Sequence, residues 1–306
     1  MRVLRTPDDR FTELPDFAYE PHYAQVPDPD GGTLRLSYVA AGPADGLVVL
    51  LLHGEPSWSY LYRKMLPVLA AAGIRALAPD LVGFGRSDKP AEVAEHSYER
   101  HVEWVRAFAF DTLDLRRVTL FGQDWGGLIG LRLVAEHPDR FAGVVAANTG
   151  LPTGDQELPE EWWDFHDAVA NAAALDISRF VRAGTRRELP DAVCAAYDAP
   201  FPDEDYKAGP RALPTLVPTG PDDPASDANR YAWAKLSMMD IPLLCAFADS
   251  DPITAPMKSV LMRTMRGAQP LQHPVVTGAG HFLQEDAGER LAEIVADFVT
   301  NKVAAT

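Results

Sequence analysis

The sequence predicts an α/β fold: a mostly parallel sheet covered by helices, with a helical cap inserted after the sixth strand. Three observations carry this. Short apolar runs alternate with helix-like stretches at both ends of the 306-residue chain. The runs are continuously apolar, as strands buried on both faces must be. The alternation then stops in mid-chain and later resumes, which divides the chain into a core of residues 1–151 and 230–306 and a cap of 152–229.

In order, "LRLSYVA" (about 35–41) and "LVVLLLH" (47–53) read as strands joined by the turn signal "AGPADG". A helix-like "YLYRKMLPVLAAAG" leads to the strand "IRALAP", a glycine-rich loop and the helical "YERHVEWVRAFAFDTL". "RRVTLFG" is the next strand, "GLIGLRLVAEH" a helix and "FAGVVAAN" another strand. Pro-rich, aromatic and helical text follows without strand-like runs, and Trp162, Trp163, Phe165, Phe180 and Phe201 suit it to covering something apolar. "IPLLCAFA" (241–248) restarts the alternation, followed by the helical "APMKSVLMRTM", the strand-like "LQHPVVT" and the helix "AGERLAEIVADFVTNKV".

Composition narrows the function. A formal charge of −16 argues against nucleic acid and anionic membranes as partners. The 47% hydrophobic content supports a large core rather than disorder. Two cysteines, Cys194 and Cys245, make no disulfide framework, and "MRVLRTPDDRF" lacks the apolar stretch of a signal peptide. A cytoplasmic monomer acting on a small molecule is the expectation.

The reactive candidate is Asp124 in "FGQDWGGLIG", at a strand-to-helix elbow flanked by Gly122, Gly126 and Gly127. Serine in this setting attacks a carbonyl carbon. On a saturated carbon it would leave an ether that water does not readily cleave, whereas a carboxylate leaves an ester. With an ordinary pKa of about 3.9, aspartate is also ionised without help. The competing structural reading is an N-cap aspartate. Regenerating the carboxylate needs a base, and His281 in "TGAGHFLQED" follows the last strand-like run in a glycine-flanked loop. Asp251 in "AFADSDPITAP" is favoured as the group orienting His281, with Asp249 the alternative. The backbone N–H groups of Glu55, in "LLHGEPSWSY", and of Trp125 are the candidate oxyanion donors. An indole N–H donates only, so Trp125 with Trp162 or Trp163 suits a departing halide. No metal-ligand spacing is found, and neither a metal nor an organic cofactor is expected.

Together "HGEPSWSYLYRKM", "PDLVGFGRSDKP", "GQDWGG", "FADSDPIT" and "GAGHFLQED" resemble the haloalkane dehalogenases of the α/β-hydrolase superfamily, from about residue 20 to 300. The resemblance implies Asp124 as nucleophile, His281 as base, Asp251 as acid, Glu55 and Trp125 as oxyanion donors, and Trp125 with a cap tryptophan as halide ligands. Trp163 is the choice for that tryptophan, with Trp162 the alternative in "EEWWDF". It implies a haloalkane and water as substrates, and an alcohol, a halide ion and a proton as products. Asp80, Arg86 and Lys89 belong to a turn common across the superfamily and are not assigned to catalysis. Epoxide hydrolases are the rival, but they need cap tyrosines, for which Tyr197, Tyr206 and Tyr231 are the candidates. A non-catalytic receptor of the same fold is a more distant alternative.

Overall fold

The computed structural model describes residues 1–304. Its strands are β1 (Val3–Leu4), β2 (His22–Pro27), β3 (Thr33–Ala41), β4 (Val48–Leu52), β5 (Arg75–Pro79), β6 (Lys89–Pro90), β7 (Val118–Gln123), β8 (Phe141–Ala147), β9 (Leu243–Cys245), β10 (Phe247–Ala248) and β11 (Val275–Val276). Seven of them form one sheet in the order β2-β3-β5-β4-β7-β8-β9. Pairing is antiparallel between β2 and β3 and between β3 and β5, and parallel from β5 onward. A β10–β11 pair extends the last strand's direction in parallel, and β1–β6 forms a small antiparallel ribbon. The continuously apolar runs are the central strands: Val49, Leu50, Leu51 and Leu52 are fully enclosed, as are Val118 and Phe121. Such strands need apolar cover on both faces.

The helices are α1 (Leu66–Ala71), α2 (Tyr98–Arg106), α3 (Trp125–Glu136), α4 (Glu160–Asn171), α5 (Ile177–Ala183), α6 (Asp191–Asp198), α7 (Ala208–Ala212), α8 (Ser226–Leu236), α9 (Ala255–Thr264) and α10 (Leu283–Phe298). Among the core helices, α1 packs against α10, α2 against α3, and α3 against α8. No helix among the described residues is long and apolar enough to cross a membrane.

Four sequence readings differ from the structure. The helix read across "YLYRKMLPVLAAAG" begins only at Leu66, after a separate 3₁₀ turn at Ser59–Tyr62. Pro67 fits the first turn of a helix, where its missing N–H has no partner to lose, but not its interior. Strand β2 went unread, because its apolar positions are few and only Ala24 and Val26 turn inward. Helix α10 starts four residues before "AGERL" and kinks at Ala287 (φ −144°, ψ 36°). The cap boundary at 229/230 falls inside α8. That helix lies on α3, and its Asn229 accepts a hydrogen bond from Arg132 Nη1 (3.2 Å) and donates to Pro152 O (2.6 Å), so α8 belongs with the core.

The rest of the insertion, α4 to α7, sits between β8 and β9, the sixth and seventh strands of the main sheet. It is tied to the core by an enclosed polar cluster. Arg63 Nη2 donates to Glu285 Oε2 (2.7 Å), and the hydroxyl of Tyr197 on α6 donates to Glu285 Oε1. All three side chains are buried.

Candidate active site

The parallel strands end at one edge, where reactive groups collect in open α/β sheets. There β7 runs into α3 through Asp124, whose backbone takes φ 51° and ψ −126°. A non-glycine residue at positive φ is strained and persists only where its surroundings hold it. Glycines make that possible: a β-carbon on Gly126 would stand 1.9 Å from Leu52 O, and one on Gly54 would stand 2.2 Å from Asp124 Oδ1. Asp124 makes no side-chain cap bond to α3. Its Oδ1 instead accepts the backbone N–H of Glu55 (2.8 Å), so Asp124 stands at the N-cap position of α3 without its side chain serving as the cap. The backbone N–H of Trp125, first residue of α3, has no acceptor among the described residues.

His281 reaches over the same edge. Its Nε2 lies 3.6 Å from Asp124 Oδ2, beyond hydrogen-bond length, and its Nδ1 lies 3.2 Å from Asp251 Oδ2. Asp251 is buried and is itself held by Ile253 N–H (3.1 Å) and the Thr254 hydroxyl. Asp249 is exposed and accepts from Gly278 N–H (2.9 Å), so it shapes a turn instead. Burial opposes protonation of His281, but the Asp251 charge and the neighbouring Asp124 outweigh it and raise its pKa to about 10. That exceeds the near-neutral value of an ordinary histidine, because two carboxylates face one imidazole. The Asp251 carboxyl is held low despite its own burial, by the imidazole and the hydrogen bonds it accepts.

Two residues missed in the sequence complete the loop. Asn148, at the end of β8 with φ 40°, donates to the carbonyls of Gly280 (2.9 Å) and His281 (3.0 Å) and accepts from Ala248 N–H (2.9 Å). Gln123, last residue of β7, sets its amide nitrogen 3.2 Å from His281 Nε2 and 3.3 Å from the His281 carbonyl. Polar residues ending an otherwise apolar strand were the available signal for both. The Glu55 side chain is also more than a bystander to its N–H. It is buried, its Oε2 has no partner, and burial together with the Asp124 charge raises its pKa far above the ordinary range. Asp80 accepts from Ser59 N–H and Arg86 N–H, each at 2.9 Å, which pins the turn to the Glu55 loop.

These groups open into a cavity of about 720 Å³ whose walls include Trp125, Leu128, Trp162, Phe165, Phe180 and Phe282. The indole N–H groups of Trp125 and Trp162 have no protein acceptor, whereas those of Trp58 and Trp233 donate to carbonyls. Trp163 requires a correction. It is 41% exposed and lies outside this cavity, packed edge-on against Trp162, so Trp162 takes its place as the cap candidate. The reason is helical geometry. Residues Trp162, Phe165 and Val169 repeat at i, i+3 and i+7 and share the inward face of α4, while Trp163 is turned about 100° away. None of Tyr197, Tyr206 and Tyr231 lines the cavity. No group of three or more His, Cys, Asp or Glu residues able to hold a metal occurs among the described residues.

The family model for the alpha/beta hydrolase fold matches residues 48–288. A haloalkane dehalogenase of Psychrobacter cryohalolentis is 51% identical over 302 residues, 98% of each chain. One of Mycobacterium marinum is 50% identical over 293 residues, covering 96% of this chain and 98% of its own. The chain belongs to the haloalkane dehalogenases. Among solved members of the family, the tetrameric haloalkane dehalogenase DpaA of Paraglaciecola agarilytica NO2 superposes with a TM-score of 0.87 at 34% identity. That match covers 96% of this chain and 97% of DpaA. As a haloalkane dehalogenase, the protein is a hydrolase acting on carbon–halogen bonds.

Proposed function

We propose that Asp124 Oδ2 displaces halide from a haloalkane carbon, and that His281 then directs water at the resulting ester. The observation that carries this is the pairing of a strained, ionisable carboxylate with two unpartnered indole N–H groups in one apolar cavity. Oδ1 already rests on the Glu55 N–H, so it is the oxygen that remains carbonyl in the ester and takes the negative charge during hydrolysis. Oδ2 is free to attack. The carbon–halogen bond breaks as the oxygen–carbon bond forms, and the halide departs toward the indoles of Trp125 and Trp162. Forming the ester removes the Asp124 charge, and with it part of what keeps His281 protonated. Neutral His281, oriented by Asp251, then takes a proton from water as the hydroxyl attacks Cγ. The N–H groups of Glu55 and Trp125 receive the oxyanion, His281 returns its proton to the departing alkoxide so that the alcohol leaves, and the restored Asp124 carboxyl releases one proton to become the carboxylate again.

An epoxide hydrolase would need a tyrosine proton donor over the nucleophile. Tyr197 is instead bonded to Glu285 and Tyr231 is 57% exposed, so neither favours that reading. The test is halide release from 1-bromobutane alongside diol formation from styrene oxide, with Asp124→Asn and His281→Phe variants. Asp124→Asn should release no bromide. His281→Phe should release about one bromide per enzyme and stall as an alkyl ester. Diol without bromide would overturn the proposal.

A further inference from the structure

Beyond the three groups assigned to the reaction, one buried carboxylate, in the first turn of the core helix α10, joins the His281 loop to the cap. Asp286 is 2% exposed, and its oxygens accept backbone N–H groups from two parts of the molecule. Gly280 N–H, in the His281 loop, donates to Oδ2 at 2.9 Å. Arg186 N–H (3.0 Å) and Arg187 N–H (2.8 Å), in the cap segment that follows α5, donate to Oδ1. A second stitch lies beside it, with Phe282 N–H donating to Gly184 O at 3.0 Å. The two segments touch without spare room. A β-carbon on Gly280 would stand 2.6 Å from Gly184 O, and one on Gly184 would stand 2.6 Å from the Phe282 ring. On the opposite side Asn148 holds the Gly280 and His281 carbonyls. The backbone carrying His281 is therefore gripped between a core amide and a cap segment, and Asp286 is the shared acceptor.

We propose that Asp286 is a positioning residue that makes the placement of His281 depend on the cap being seated. The inference rests on His281 being the hydrolytic base. Buried N–H groups require an acceptor, and a carboxylate accepting several of them holds each more firmly than a neutral acceptor would. Losing that charge loosens residues 280–282 relative to the cap. The imidazole then leaves its aligned position, where a displacement of about 1 Å can slow a step by about a hundredfold. Attack by Asp124 needs no base and is spared.

The experiment is single-turnover kinetics with 1-bromobutane on the full chain, reading the bromide burst and, by mass spectrometry, decay of the alkyl-enzyme. Asp286→Asn keeps the volume but turns an amide NH₂ toward an N–H donor. Arg187→Pro removes a cap N–H and leaves Asp286 intact. In either variant the burst rate should stay within about twofold of wild type while ester decay slows about tenfold or more, so that alkyl-enzyme accumulates. A parallel loss in both steps, or no change in either, in whichever variant folds would overturn the proposal. If wild type shows no Asp124-dependent burst, the dehalogenase mechanism fails and this inference with it. A normal wild-type burst with unsplit variants removes only the role of Asp286.

Discussion

Replacing each cap tryptophan by phenylalanine separates an indole that faces the cavity from one that does not. Trp162 is 8% exposed and its N–H has no protein acceptor, so its phenylalanine variant keeps the packing against His166 and loses only a donor. A hydrogen bond to a charged group contributes about 1.5–3 kcal/mol, and each 1.4 kcal/mol is a factor of about ten. Halide departure from Trp162→Phe should therefore slow by about 10- to 100-fold. Trp163→Phe removes an N–H already open to water and should leave the rate within about twofold. Stopped-flow bromide release under single-turnover conditions measures this directly, with melting temperature as the control for folding. A large loss in Trp163→Phe with an unaffected Trp162→Phe would refute the reasoning from helix face to halide contact.

Other outcomes follow from the same geometry. Because burial and the Asp124 charge favour the protonated form of the Glu55 carboxyl, Glu55→Gln should retain activity within a few fold at pH 7, and a loss beyond about a hundredfold would mean an ionised Glu55 is needed. Its stability should also separate from wild type with pH. The folded carboxyl titrates above its unfolded value of about 4.5, so wild type loses stability as pH rises past that value, and the variant should melt higher at pH 7.5 but not at pH 4. For the base, hydrolysis of the alkyl-enzyme should rise with pH through a midpoint below the free enzyme's value of about 10, since esterified Asp124 carries no charge. A midpoint at or above that value would show that Asp124 does not contribute to the shift. Size-exclusion chromatography with light scattering tests the monomer expected from the sequence against the tetramer described for DpaA.

Much of the site was legible because its chemistry is local in sequence. An aspartate between glycines at a strand end, a histidine in the last loop and an acid after the preceding strand each carry their context with them. Strand β4 could be read because five apolar residues have nowhere else to go. The misreadings at α4 and α8 share a cause in choices that depend on neighbours distant in the chain. Whether Trp162 or Trp163 faces inward depends on where α4 docks, although Phe165 and Val169 already marked the face. Asp286 reads as an ordinary acidic residue just ahead of the helix "AGERL" until the cap supplies the N–H groups of Arg186 and Arg187. The cap boundary read from the sequence falls inside α8 because nothing near Asn229 announces Arg132, which is 97 residues away.

The cluster at Glu285 bears on modularity. Its carboxylate is shared by a core arginine and a cap phenol, all without solvent. Grafting the cap of a relative onto this core would leave that carboxylate short of a donor unless the graft brought a hydroxyl to the position of Tyr197. The same graft would have to return two N–H groups to Asp286. Substrate range in this protein should therefore evolve more readily by changing single cavity walls such as Phe165 or Phe180 than by exchanging the cap whole.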